Sequence, residues 1–115
     1  MNEYIQKYWK QVEEIVEVCH RDAELGYGPA VSGNVSCRVA ENVVLITPTN
    51  TPKRLIEAED ICVLTLDGQP LYLPEGKKPT GETFLHLHIL QKRLDITAVM
   101  HAHPPLATGL STCEA

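Results

Sequence analysis

Val35-Ser36-Cys37-Arg38-Val39, then Glu41-Asn42, then Val43-Val44-Leu45-Ile46, is the stretch on which the fold turns. The first segment alternates apolar and polar residues, the period of a strand with one face buried. Glu41-Asn42 reads as a turn, and the apolar run after it reads as a strand covered on both faces. A hairpin of this kind needs layers of chain above and below it. The chain on either side supplies them.

Upstream, residues 3 to about 25 carry apolar side chains at helical spacing: Ile5, Tyr8, Trp9, Val12, Ile15, Val16 and Cys19, with charges between them. Gly26-Tyr27-Gly28-Pro29 stops that helix, because glycine suits its end and proline cannot continue it. His20 falls beside the stripe and reads as a surface histidine rather than a ligand. Downstream, Ile61 to Leu66 is another strand run, and Asp67-Gly68 turns it into Leu71-Tyr72-Leu73 as a second hairpin. A polar loop from Pro74 to Pro79 leads into a helix over roughly 82–94, with Thr80 as the expected N-cap and Glu82 in the first turn. Ala98 to His103 is a further strand, ended by Pro104-Pro105, where Pro105 opens a last helix. The order helix, strands, helix, strand, helix predicts one mixed α/β domain over 1–115, with no repeat or linker.

Composition excludes several functions. The chain has 115 residues, 43% of them hydrophobic and 22% charged, which suits a folded domain and not a low-complexity chain. Fifteen acids against ten bases give a net charge of −5, and the bases are scattered. Nucleic-acid binding by phosphate neutralisation needs clustered Lys and Arg, so it is not expected. No apolar run approaches the ~20 residues that span a bilayer, and the first twenty residues are too charged for a signal core. No membrane partner is expected. Cys19, Cys37, Cys62 and Cys113 form no C-x-x-C pair and read as reduced thiols of a cytoplasmic protein.

Three features carry chemistry. His101-Ala102-His103 places two imidazoles on one face of a strand end, about 7 Å apart at Cα, where they can converge on one ion. Two ordinary histidines on a polar face are the competing reading, and H-x-H alone does not separate them. Glu82 enters its helix from Pro79-Thr80-Gly81 and reads as a solvated first-turn residue, a general base, or a weak metal ligand facing the histidines. His86, one turn on, is placed to brace that carboxylate, whereas His88 lies on the far side of the helix. Two histidines and a carboxylate suit zinc or non-haem iron equally at this stage. Lastly, Ser32-Gly33-Asn34, Thr47-Pro48-Thr49-Asn50-Thr51 and Thr80-Gly81 are small-residue loops whose hydroxyls, amide and backbone N–H groups can hold a phosphate without lysine. Taken singly, each is also an ordinary turn.

Ser-Gly-Asn-Val-Ser (32–36), Leu-Ile-Thr-Pro-Thr (45–49), Pro-Thr-Gly-Glu (79–82) and His-Ala-His-Pro-Pro (101–105) occur in the order and spacing of the class II aldolase/adducin family. From about residue 5 to its last residue the chain resembles that family, its fuculose-phosphate aldolase branch in particular. The resemblance implies a three-layer α/β/α fold with a central, mostly antiparallel sheet, and a zinc-dependent sugar-phosphate lyase. It implies His101 and His103 as metal ligands, with Glu82 as catalytic acid/base that also touches the metal. It implies Gly33, Asn34, Thr49, Asn50, Thr80 and Gly81 as the substrate phosphate pocket. Asn50 stands where that branch has a glycine, and Gly81 where it has a serine. The family's third zinc histidine and its catalytic tyrosine lie beyond residue 115, so the chain reads as the N-terminal half of a longer one. A homotetramer is implied as well. The expected reaction is retro-aldol cleavage of a ketose 1-phosphate to dihydroxyacetone phosphate and an aldehyde. A ribulose-phosphate 4-epimerase, a thio-sugar-phosphate dehydratase and a non-catalytic adducin-like binding module are the alternatives.

Overall fold

The 35–46 stretch forms the antiparallel hairpin that its alternation predicts, in a computed structural model that describes residues 2–26 and 33–101. Strand β1 spans Asn34–Ala40 and β2 spans Val43–Ile46, with Ser36 opposite Ile46 and Arg38 opposite Val44. β3 (Cys62–Leu64) and β4 (Pro70–Tyr72) make the second hairpin, and β5 (Ala98–His101) pairs with the other edge of β1. The sheet order is β4-β3-β2-β1-β5, and every neighbouring pair is antiparallel. β3 is shorter than the 61–66 run because Thr65 already belongs to the turn. Its N–H donates to the Gln69 carbonyl at 2.8 Å, and the Gln69 N–H returns to its hydroxyl. Gly68, at φ +96°, takes the left-handed backbone that this turn requires.

Two helices, α1 (Glu3–Lys7) and α2 (Trp9–Glu24), replace the single one expected over 3–25. The break sits at Tyr8 (φ −109°, ψ 31°), outside the α region, and Trp9 just past it is half-exposed. Ile5, Val12, Ile15 and Cys19 hold the stripe and pack on Val35, Leu45 and Val63 from one face of the sheet. Helix α3 (Thr83–Lys92) covers the other face, where Leu87 and Leu90 meet Val44, with Ile96 and Val99 beside them. The layers are therefore α1/α2, sheet, α3, the predicted three-layer α/β/α arrangement.

Strand β1 shows why both layers form. Its Val35, Cys37 and Val39 side chains enter the α1/α2 core. The alternate residues bond toward α3: Asn34 and Ser36 to His86, and Arg38 to the carbonyls of Leu90, Leu94 and Ile96 at 2.9–3.1 Å. The arginine thereby satisfies carbonyls at and beyond the C-terminus of α3 that have no helical partner. Cys19, Cys37 and Cys62 are free thiols, and burial pushes Cys19 up to about 11 and Cys62 to about 12. Among the described residues, no helix is long and apolar enough to cross a membrane. His103, the Pro104-Pro105 pair, the expected last helix, Cys113 and the 27–32 segment lie outside the described residues.

Candidate active site

One end of the sheet gathers most of the expected site residues. Asn34, the first residue of β1, stands opposite His101, the last residue described in β5. Helix α3 brings Glu82 to the same end. Thr80, the expected N-cap, lies two residues ahead of the position the helix uses, and its hydroxyl accepts the Glu82 N–H at 3.4 Å. Its carbonyl accepts the Thr83 N–H and hydroxyl in a turn that precedes the helix, and Glu82 takes the N-cap position. The Glu82 side chain makes no capping bond. It accepts a hydrogen bond from His101 Nδ1 at 2.6 Å, with both side chains more than one-third exposed. A half-exposed carboxylate held by an imidazole can take up and release a proton, and the two groups together offer oxygen and nitrogen donors to a cation.

That donor set fits a divalent metal of zinc type, which takes histidine nitrogen and carboxylate oxygen together. Among the described residues no cluster of three or more His, Cys, Asp or Glu is present. The expected set of His101, Glu82 and His103 has its third member outside them.

The three loops are laced to one another rather than merely near. The Thr47 N–H donates to the Val35 carbonyl at 3.0 Å, and its hydroxyl accepts the Val35 N–H at 3.1 Å. The Thr49 N–H donates to the Lys78 carbonyl, and the Thr80 N–H donates to the Thr47 carbonyl. Pro48 and Pro79 form the bridge between these bonds. Thr47 and Thr80 are buried by this lacing, while Asn50 and Gly81 are exposed at its edge. Asn50 has φ +54°, a conformation that asparagine tolerates best after glycine, so it can stand where the resemblance leads one to expect glycine. A Cβ at Gly81 meets nothing within 4 Å, so the position has room for a serine side chain.

Three features of the site were missed or misplaced by sequence reasoning. His86 does not brace Glu82 with its ring. It is fully buried, and it sits between the Ser36 hydroxyl, at 2.6 Å from Nδ1, and the Asn34 side-chain oxygen on Nε2. Burial holds it below the ordinary histidine value, against the opposing pull of Glu82. Lysine also reaches the loops. Buried Lys53 donates to the Gly33 carbonyl at 2.5 Å, and Lys77 donates to the Thr51 hydroxyl at 3.1 Å. Gly33 has φ +84°, so Lys53 fixes a loop position that only glycine adopts without strain. No periodic signal marks either lysine. His20, read as a surface residue, bonds the Ile56 carbonyl at 2.8 Å and ties α2 to the chain after β2. A groove of about 680 Å³ at Arg38, Glu41, Asn42, Leu66 and Leu94 is no rival anion site, since Arg38 already donates to three carbonyls.

Comparison with known proteins bears on the family and the fold. Residues 13–115 match the family described as Class II Aldolase and Adducin N-terminal domain. The chain is 35% identical over 105 residues to the methylthioribulose-1-phosphate dehydratase of Pectobacterium atrosepticum, covering 91% of this chain and 50% of that protein. It is 35% identical over 100 residues to the L-fuculose phosphate aldolase of Methanocaldococcus jannaschii, covering 87% of this chain and 52% of that one. Among solved structures, an L-fuculose 1-phosphate aldolase superposes with a TM-score of 0.78 at 29% identity, over 86% of this chain and 46% of that one. YgbL from Escherichia coli, a putative aldolase/epimerase/decarboxylase, superposes at 0.81 with 24% identity, over 89% and 48%, and shows the fold. The chain spans about half the length of the curated relatives it matches.

Proposed function

The chain belongs to the class II aldolase and adducin family, and on that premise we propose that it carries the phosphate-binding and proton-transfer part of a metal-dependent sugar-phosphate lyase. The observation that carries the reading is the Glu82–His101 contact of 2.6 Å at the end of the sheet where the three loops are laced together. The reaction proposed is cleavage of a ketose 1-phosphate to dihydroxyacetone phosphate and an aldehyde. His101, His103 and Glu82 would hold a divalent ion of zinc type, which when bound would supply Lewis-acid polarisation of the substrate oxygens. Gly33, Asn34, Thr49, Asn50, Thr80 and Gly81 hold the phosphate through backbone N–H groups, hydroxyls and an amide. They fix the reacting carbons in position. Glu82 moves the proton at the carbon that loses its bond, and His101 keeps the carboxylate turned toward that carbon. A cytoplasmic homotetramer completes the reading.

Dehydration of a thio-sugar phosphate is the second reading. It is supported by the methylthioribulose-1-phosphate dehydratases, which resemble the chain as strongly as the aldolases do. The same carboxylate then takes a proton, and hydroxide leaves in place of a carbon fragment. A 4-epimerase on the same scaffold has no such observation in its favour. A purely adducin-like binding module has no use for Glu82 and His101 in hydrogen-bonded contact.

The test is turnover of ketose 1-phosphates and methylthioribulose 1-phosphate with and without a chelator, followed by product identification. Glu82→Gln should lower kcat by about 10²- to 10⁴-fold, the usual share of a general acid/base, and leave KM within a few-fold. Turnover that persists in chelator, or unchanged in E82Q, sinks the proposal.

A further inference from the structure

We propose that His86 is a positioning residue of the phosphate pocket: with Ser36 behind it, it fixes which end of the Asn34 amide meets the anion. The inference rests on the reading of Asn34 as a phosphate contact. Its chemistry comes from the buried bonds themselves. Asn34 Oδ1 can only accept, so the His86 nitrogen against it, Nε2, carries the proton. A neutral ring then has a bare Nδ1, which accepts the Ser36 hydroxyl proton at 2.6 Å. One direction of donation runs through all three residues, from Ser36 through His86 to Asn34. Asn34 is 3% exposed, and its NH2 group makes no hydrogen bond among the described residues.

That imbalance points to a ligand. The amide has its oxygen taken inside the core, while its NH2 is not among the buried orphan atoms of the described residues and stays open to an acceptor arriving from outside. The terminal oxygens of a sugar-phosphate dianion accept and carry no proton, so they pair with an asparagine held NH2-first and not with one held oxygen-first. His86 decides between the two. It does so from inside the core, where its 0% exposure keeps water from exchanging for either partner.

The experiment uses the full chain labelled with nitrogen-15 and inorganic phosphate as the probe. Long-range proton–nitrogen spectra report the His86 tautomer directly, and the Asn34 side-chain amide resonance reports contact with phosphate. Support is an Nε2–H tautomer together with an Asn34 NH2 resonance that moves as phosphate is added. An Nδ1–H tautomer with the Asn34 resonance still moving overturns the positioning role while the phosphate reading stands. An Nε2–H tautomer with no movement overturns the phosphate reading and this proposal with it. A variant pair separates positioning from mere packing. His86→Gln keeps an N–H donor for Asn34 and should bind phosphate within about threefold of the parent. His86→Leu leaves the amide free to rotate and should bind it about tenfold more weakly, the worth of one hydrogen bond to an anion. Equal loss in both variants overturns the proposal. Should H86L fail to fold, the tautomer of the parent chain decides.

Discussion

The two faces of the sheet are built on opposite terms, although strand β1 contributes alternate residues to both. Toward α1 and α2 it offers Val35, Cys37 and Val39 to a core that also takes in Ile5, Val12, Ile15, Leu45 and Val63. Toward α3 it offers Asn34, Ser36 and Arg38, each hydrogen-bonded, beside a small apolar cluster of Val44, Leu87 and Leu90. The first face gains by removing apolar area from water, which is non-directional and tolerates small shifts. The second is held by bonds of fixed length and angle, which tolerate few shifts but set the orientation of the side chains they join. The candidate site grows from the second face. Directionality there is what a site needs, and the apolar face makes its presence affordable.

Each contrast can be broken by substitution. Leu45→Ala, on the apolar face, should cost the most, about 2–5 kcal/mol in denaturant unfolding, because a fully buried side chain leaves a cavity. The Asn34 and His86 resonances of the folded fraction should stay where they are; their displacement would show that the two faces are not separable. Arg38→Lys should cost less, about 1–3 kcal/mol, since an ammonium cannot reach three carbonyls from the fork of one guanidinium. Its effect should concentrate in hydrogen exchange at the C-terminal end of α3, and uniform exchange over the chain would argue against the assignment. The smallest effect concerns pH. The folded state holds His86 below the ordinary histidine value of 6.5, so between that lowered value and 6.5 the unfolded chain binds more protons. This contribution to stability is full above pH 6.5 and declines as pH falls below it. In His86→Gln that part of the decline should vanish from the unfolding curve, and a curve of unaltered shape would assign the decline to other groups.

The apolar face was legible in the sequence because periodicity is a local property. Val35 to Val39 alternate, and Ile5, Val12, Ile15 and Cys19 recur at helical spacing and face the core as that period requires, with Trp9 the exception. The break at Tyr8 was not legible, since nothing in residue type there forbids a helix. Of the candidate site residues, the structure brings Asn34, Thr49, Thr80, Glu82 and His101 to one end of the sheet. The partners of those residues were not found. His86 lies one helical turn from Glu82, and spacing alone joined them. The register of β1 against α3 instead put Ser36 and Asn34 at its ring, a fact of tertiary packing. Lys53 was invisible for the same reason: its target, the Gly33 carbonyl, is a backbone atom with no mark in the sequence.

The pairing of β1 with β5 has a consequence for the order in which the molecule assembles. β1 and β2 are joined by a short turn, so they meet at little cost in chain entropy. Asn34 and His101 stand opposite each other across the whole intervening chain, and closing so long a loop is slower. The end of the sheet that carries Glu82, His101 and Asn34 therefore belongs to the late, entropically expensive part of folding. A ligand gripping residues on both sides of that closure binds only the closed state and stabilises it by mass action. A ligand held across Asn34 and His101 would therefore draw on the same equilibrium as completion of the sheet.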